Sequence, residues 1–155
     1  MKRQTLEAGS SAPDFDLPAL DGGQRALSDM LAGGPVVLVF FKVSCPTCQF
    51  ALPFSDRISR AGGRLVAISQ DNADSTRQFH RQFGIGMETL LDAKGYPASN
   101  AYGIESVPTF FEIGSDGKIE RTFSGFVKTE LEALGRRFGI ETFRASESVP
   151  AVKPG

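Results

Sequence analysis

The sequence has no tryptophan, one histidine and two cysteines among its 155 residues. A single histidine excludes reactions that need two, and no third cysteine is present to complete a typical four-ligand zinc site. The 17 basic and 18 acidic residues nearly balance, so the basic surface typical of a nucleic-acid-binding protein is not expected. No apolar run approaches the ~18 residues of a membrane span.

The length corresponds to about one domain of ~150 residues. Residues 1–12 are polar, which predicts a flexible arm. Residues 13–140 are predicted to form one domain, and residues 141–155 are predicted to be a disordered tail. The N-terminal residues lack the apolar segment of a signal peptide, so we expect a cytoplasmic protein. If a leader has been removed from the chain, we expect an exported one instead.

Apolar patterns alternate between strands and helices along the domain. Buried strands are predicted over 36–41, 65–68 and 109–113. Helices are predicted over 46–60, over 75–83 behind a capping box at Ser75, and up to 138. The order predicts an α/β fold, a three-layer α/β/α sandwich with a mixed central sheet, an N-terminal hairpin extension and one inserted helical segment.

The two cysteines form a C-x-x-C motif, Cys45-Pro46-Thr47-Cys48, between a predicted buried strand and a predicted helix. The free backbone N–H groups and the positive end of the helix stabilise a thiolate there. The spacing places both sulfurs on one side of the first helical turn, close enough to form a disulfide. Cys45 is predicted to be the nucleophile, and the more buried Cys48 the resolving cysteine.

Three other interpretations of the pair are open: inert core thiols, a static disulfide, or half of a zinc site. The only histidine, His80, lies on a separate element, and its helical spacing from Phe79 and Phe83 predicts a surface residue. A redox-active pair without metal or cofactor is favoured.

Several features together resemble the thioredoxin-like superfamily. They are the strand Val36–Phe41 before the C-P-T-C motif, Pro53 five residues after Cys48, Val107-Pro108-Thr109 before a predicted hairpin, and Gly125 after it. The opening 12–17 and the extra segment 75–103 are similar to the redoxin branch. That branch holds alkyl hydroperoxide reductase/thiol-specific antioxidant-like proteins and the thiol-disulfide oxidoreductases of cytochrome maturation. The resemblance implies a thioredoxin-like fold.

The resemblance also implies a substrate-binding loop. Pro108 is expected to be cis and to lie against the cysteine pair, with the backbone of Val107 pairing with a bound polypeptide. An ordinary trans proline opening an edge strand is the alternative. The motif residues expected to contact substrate as well are Ser44, Pro46 and Thr47.

Two residues typical of thioredoxins are missing. Ser44 stands where thioredoxins carry a tryptophan before the first cysteine. Val39 stands where they carry a buried aspartate on the central strand, which accepts the proton of the second cysteine. Asp71, just after the second buried strand, is predicted to accept the proton of Cys48. The alternative is that Asp71 only turns or caps the chain.

The function that follows is thiol-disulfide exchange with protein thiols or disulfides through a mixed disulfide, contributing to cell redox homeostasis. The expected partner is an electron donor, such as a thioredoxin reductase or a glutathione system. No nucleic-acid partner is expected, and the protein is expected to be a monomer.

A peroxiredoxin-like thiol peroxidase with antioxidant activity is the first alternative. Lys42 and Leu38 stand where peroxiredoxins carry a Thr or Ser and a proline. The second alternative is a non-catalytic binding module.

Overall fold

A computed structural model describes residues 4–155 of the chain. Its strands are β1 (Asp16–Pro18), β2 (Gln24–Ala26), β3 (Val36–Phe41), β4 (Leu65–Ser69), β5 (Thr89–Leu91), β6 (Thr109–Ile113), β7 (Ile119–Ser124), β8 (Phe126–Val127) and β9 (Val152–Lys153). Its helices are α1 (Leu27–Leu31), α2 (Pro46–Arg60), α3 (Ala73–Phe83), α4 (Pro97–Tyr102) and α5 (Lys128–Arg137). The hairpin β1–β2 is the predicted N-terminal extension, and α3 to α4 form the inserted segment.

The central sheet has five strands in the order β5-β4-β3-β6-β7. Strands β3, β4 and β5 are parallel, β6 is antiparallel to β3, and β7 is antiparallel to β6. Strand β3 lies in the middle and is buried along its whole length, because its six apolar residues serve both faces of the sheet. The predicted mixed sheet and thioredoxin-like sandwich are confirmed.

Alternate residues of β3 divide the interior into two apolar clusters. Leu38 and Phe40 face the cluster that holds Tyr102 of α4. Val39 and Phe41 face the cluster that holds Cys48 of α2, together with side chains of α3 and α5. The period-two alternation of a strand therefore places the second cysteine inside a core beneath α2.

Residues 141–155, for which a disordered tail is predicted, contact the domain at several points in the structure. The Thr142 hydroxyl donates to the Leu131 carbonyl at 2.7 Å, and Arg57 donates to both carboxylate oxygens of Glu147 at 2.8 and 2.9 Å. Phe143 packs its ring 4.8 Å from that of Phe54 on α2. Single specific contacts of this kind leave no periodic pattern in the sequence, which is why composition predicted disorder.

The described part of the predicted arm, residues 4–12, also makes hydrogen bonds to the domain. The Leu6 amide donates to the Tyr102 carbonyl at 3.1 Å, and the Gly9 amide to the Ile119 carbonyl at 2.8 Å. These are backbone contacts that any side chain permits, so residue types did not reveal them. The rest of the predicted arm, residues 1–3, lies outside the described residues.

His80 is half-buried rather than on the surface. Its Nε2 lies 3.0 Å from the Thr89 hydroxyl at the start of β5, and burial lowers the pKa of the imidazole. Helical spacing from Phe79 pointed His80 outward, but Thr89 of the edge strand β5 contacts the imidazole on that side.

Candidate active site

Cys45 is the N-cap residue of α2. Its Sγ accepts a hydrogen bond from the Cys48 amide at 3.2 Å, so the sulfur occupies the place of a capping oxygen. Pro46 follows at the first helical position, where its missing N–H costs nothing. Because the Cys48 amide donates to Sγ at the positive end of the helix, this position favours a negative charge on the sulfur. Cys45 remains partly exposed.

Cys48 is completely buried, with 0% of its surface exposed. Burial raises the pKa of its thiol far above the ordinary value, because the charged form is removed from water. A hydrogen bond with Cys45 and the charge of Asp71 act in the same direction, while hydrogen bonding from the Lys42 backbone acts against them. The structure therefore separates one accessible sulfur from one enclosed, protonated sulfur.

The Val107–Pro108 peptide bond is cis, as the resemblance implied. The Cys45 thiol donates to the Val107 carbonyl oxygen at 3.4 Å, which puts the loop directly beside the reactive sulfur. The Pro108 carbonyl in turn accepts from the Gly125 amide at 2.7 Å. Gly125 adopts a φ of +78°, and a Cβ there would lie 2.6 Å from the Lys153 carbonyl oxygen, so only glycine fits.

The other motif residues differ in exposure. Ser44 and Pro46 lie on the surface beside Cys45, whereas Thr47 is buried. The Thr47 hydroxyl donates to the Pro154 carbonyl at 2.6 Å. Residues 151–155 thus reach the cysteine motif, and nothing in their composition indicated that they would.

Asp71 lies in the loop after β4, next to the loop after β3. Its Oδ2 accepts from the Val43 amide at 2.8 Å, and its own amide donates to the Ser69 hydroxyl at 3.1 Å. The carboxylate thus holds the chain just before the motif and is close enough to act electrostatically on Cys48. Its role as proton acceptor stays a prediction.

A cavity of about 370 Å³ opens beside the cis-proline loop. Its lining includes Lys42, Gln70, Tyr96, Glu105 and Val107. Tyr96 is 47% exposed and holds a left-handed φ of 53°, so its ring stands out beside the site. Tyr96 was not among the predicted site residues; its position between Gly95 and Pro97 was the available signal of an unusual turn.

The profile of the AhpC/TSA family matches residues 8–122, which include both cysteines and the cis-proline loop. The chain belongs to the AhpC/TSA family. Curated relatives include the thiol-disulfide oxidoreductase ResA of Bacillus thuringiensis (strain Al Hakam), 29% identical over 136 residues that cover 84% of this chain and 78% of the relative. ResA of Geobacillus thermodenitrificans is 27% identical over 143 residues, which cover 86% of this chain and 81% of the relative.

Solved structures agree with these relatives. A structure from Chlorobium tepidum described as a DsbE-type thiol:disulfide interchange protein has a TM-score of 0.72 and 28% identity, and covers 86% of this chain and 96% of the other. With its C-x-x-C pair at a helix N-terminus beside a cis-proline, this AhpC/TSA member is a thiol-disulfide oxidoreductase.

The peroxidase alternative has less support. Peroxidoxin BcpB of Mycobacterium tuberculosis has a TM-score of 0.70 and 25% identity, and covers 92% of this chain and 99% of the other. That likeness shows a fold shared by both activities. Lys42, where peroxiredoxins carry a hydroxyl, lines the cavity beside the site.

Among residues 4–155, no helix combines the length and the apolar character required to cross a bilayer.

Proposed function

We propose that Cys45 attacks a disulfide of a polypeptide substrate and that Cys48 then releases the reduced product. The observation that carries this assignment is the contrast between the partly exposed Cys45 at the helix end and the fully buried Cys48. Only the first sulfur is open to a macromolecule, and only its neighbour is placed to attack the resulting mixed disulfide.

The first step begins when the Cys45 thiol loses its proton to solvent. The thiolate attacks one substrate sulfur, the Cys45–substrate S–S bond forms, the substrate S–S bond breaks, and the departing substrate sulfur takes up a proton. The nearby Val107 carbonyl, which now accepts from the Cys45 thiol, is free to accept an N–H from the substrate backbone once that thiol has lost its proton.

The second step needs the proton of Cys48. Asp71 is the proposed acceptor, since its charge already acts on the Cys48 thiol. The Cys48 thiolate attacks the Cys45 sulfur, the Cys45–Cys48 disulfide forms, and the second substrate sulfur leaves and is protonated. The substrate gains two electrons and the enzyme loses them. Run backwards, the same steps oxidise a substrate dithiol.

The proposed partners are protein disulfides or thiols and an electron donor that re-reduces the Cys45–Cys48 disulfide, such as a thioredoxin reductase or a glutathione system. We propose a monomer, because the cysteine pair, the cis-proline loop and the helix end all come from one chain. The cytoplasmic location stays a prediction, to be measured by cell fractionation.

Reduction of insulin disulfides in the presence of dithiothreitol tests the proposal. The wild-type protein should accelerate the reaction, and Cys45→Ser should not. Exposed Ser148→Ala is the matched control and should behave as wild type. Hydrogen peroxide consumption far faster than insulin reduction would favour the peroxidase, and inactivity in both assays would favour the binding module.

A further inference from the structure

Residues 151–155, here called the strap, cover a surface formed by β8, Thr47 and the cis-proline loop, here called the groove. Strand β9 within the strap pairs antiparallel with β8, Phe126 opposite Lys153 and Val127 opposite Val152. The Lys128 amide donates to the Ala151 carbonyl at 2.9 Å and extends this ladder by one bond. The strap is thus bound as an added strand.

The far end of the strap reaches the two loops that flank Cys45. The Thr47 hydroxyl donates to the Pro154 carbonyl at 2.6 Å. Gly155 lies against the cis-proline loop so closely that a Cβ there would be 2.8 Å from the Val107 carbonyl carbon. A residue with a side chain at this position would have to move away from Val107.

These are the groups that a bound polypeptide would use. Strand addition requires a free backbone edge, which β8 supplies, and polar groups beside the reactive sulfur, which Thr47 and Val107 supply. The strap covers the edge and occupies Thr47 and the space over Val107. A substrate segment and the strap cannot occupy this groove together.

The strap buries little side-chain surface. Val152 is 60% exposed, and Ala151, Pro154 and Gly155 are exposed as well. Its one aromatic contact places Lys153 Nζ 5.1 Å from the centre of the Phe50 ring. A two-residue strand with so little buried surface opens at low free-energy cost, so a competing segment can displace it.

We propose that the strap is an intramolecular occupant of the polypeptide-binding groove, and that an extended substrate segment displaces it before the substrate disulfide meets Cys45. This inference rests on the proposed function. Small disulfides, which need no groove, reach the partly exposed Cys45 with the strap in place. The strap therefore selects among polypeptides by how well their extended segments pair with β8.

The test uses the full-length chain with the double substitution Lys153→Ala/Gly155→Val. The first change removes the contact with Phe50, and the second places a side chain against Val107, so the strap should loosen. Ser148→Ala is the control. Slow amide exchange at Lys128, which donates to the strap, reports docking without any assay of activity.

We expect faster exchange at Lys128 in the double variant and a KM for insulin about threefold to tenfold lower, because more molecules have an open groove. The rate with the small substrate 2-hydroxyethyl disulfide should stay unchanged. Faster exchange at Lys128 with an unchanged KM for insulin would overturn the proposal. Equal changes in the reaction rates with insulin and with 2-hydroxyethyl disulfide would overturn it as well.

A peptide of residues 149–155 separates failure of the strap from failure of the proposed function. In fluorescence anisotropy the labelled peptide should bind the double variant at least about fivefold more tightly than wild type, whose own strap competes. The same peptide carrying Gly155→Val should bind weakly. No difference between the two proteins overturns the strap even if insulin is reduced. Normal peptide binding without insulin reduction refutes the proposed function alone.

Discussion

The Cys45 thiol donates a hydrogen bond to the carbonyl oxygen of Val107 at 3.4 Å, across 62 residues of sequence. The contact joins the N-terminus of α2 to the cis-proline loop, so Cys45 Sγ lies directly beside the Val107 carbonyl. In the proposed mechanism, a substrate backbone N–H donates to this carbonyl once the Cys45 thiol has lost its proton.

Asp71→Asn tests the proposed proton acceptor. Asparagine keeps an oxygen that can accept from the Val43 amide but cannot take up a proton. If Asp71 is the base, resolution of the mixed disulfide near neutral pH should slow by about tenfold or more. Stopped-flow release of a fluorescent thiol from the mixed disulfide measures this step.

The opposite outcome for Asp71→Asn has a distinct physical cause. The charge of Asp71 raises the pKa of Cys48, so its removal by itself increases the thiolate population. A faster resolving step in the variant would show that Asp71 acts only through its charge and the Val43 contact. Ser69→Ala, which alters the other polar contact of the Asp71 loop, is the control.

The reduced protein should lose stability at high pH because of Cys48. Its thiol has a folded-state pKa raised above the ordinary value of 9.0. A raised pKa means that the folded state holds the proton more tightly, so this stabilising contribution is complete below pH 9.0 and is lost progressively as pH rises above it. Urea unfolding of the reduced protein between pH 7 and about 10.5 should show the decline.

Cys48→Ala serves as the comparison for that pH series. It removes the titrating thiol while keeping a small apolar side chain in the core. The difference in free energy of unfolding between the wild type and Cys48→Ala should shrink above pH 9.0. A constant difference across the series would show that the thiol titrates alike in the folded and unfolded states.

The ion pair of Arg57 and Glu147 should hold residues 142–147 on α2 in a pH-dependent way. The bidentate contact with Arg57 lowers the pKa of the Glu147 carboxyl to about 2. A lowered folded-state pKa gives a contribution that is present above the ordinary value of 4.5 and is lost as pH falls towards 2.

Glu147→Gln measures this contribution. Relative to wild type, the variant should show faster amide exchange at Arg144, whose amide donates to Glu147 Oε1 at 2.7 Å. The difference should disappear between pH 4.5 and about 2 as the wild-type carboxyl is protonated. Glu141→Gln, on an exposed residue with only a long 3.9 Å contact to Arg136, is the matched control. Equal amide exchange at Arg144 in both variants at pH 7 would refute this role of the Arg57–Glu147 ion pair.

The sequence predicted what depends on residue pattern. The apolar run Val36–Phe41 marked the central strand, and the C-P-T-C motif after it marked the helix start, because burial and helix termini select residue types locally. The cis bond at Pro108 came from the family resemblance. Helix starts were less accurate: α3 is capped by Asn72, which accepts from the Ser75 amide, rather than by Ser75 itself.

Long-range contacts made by single residues escaped prediction. The pairing of Val152–Lys153 with β8, the Thr47 contact with Pro154 and the Arg57–Glu147 pair join segments far apart in sequence. None of them requires a periodic pattern, and a polar, proline-containing segment has the composition of a disordered one. The position of the strap over the groove could therefore not be predicted from the residue pattern and was found only in the structure.

Trapping the mixed disulfide tests the central claim most directly. Cys48→Ser leaves Cys45 at the helix end but removes the resolving sulfur, so incubation with a protein disulfide should accumulate a covalent adduct. Mass spectrometry of the digested adduct should place the substrate on Cys45, and Cys45→Ser should form no adduct. An adduct formed equally well through Cys48 in the Cys45→Ser variant would contradict the account.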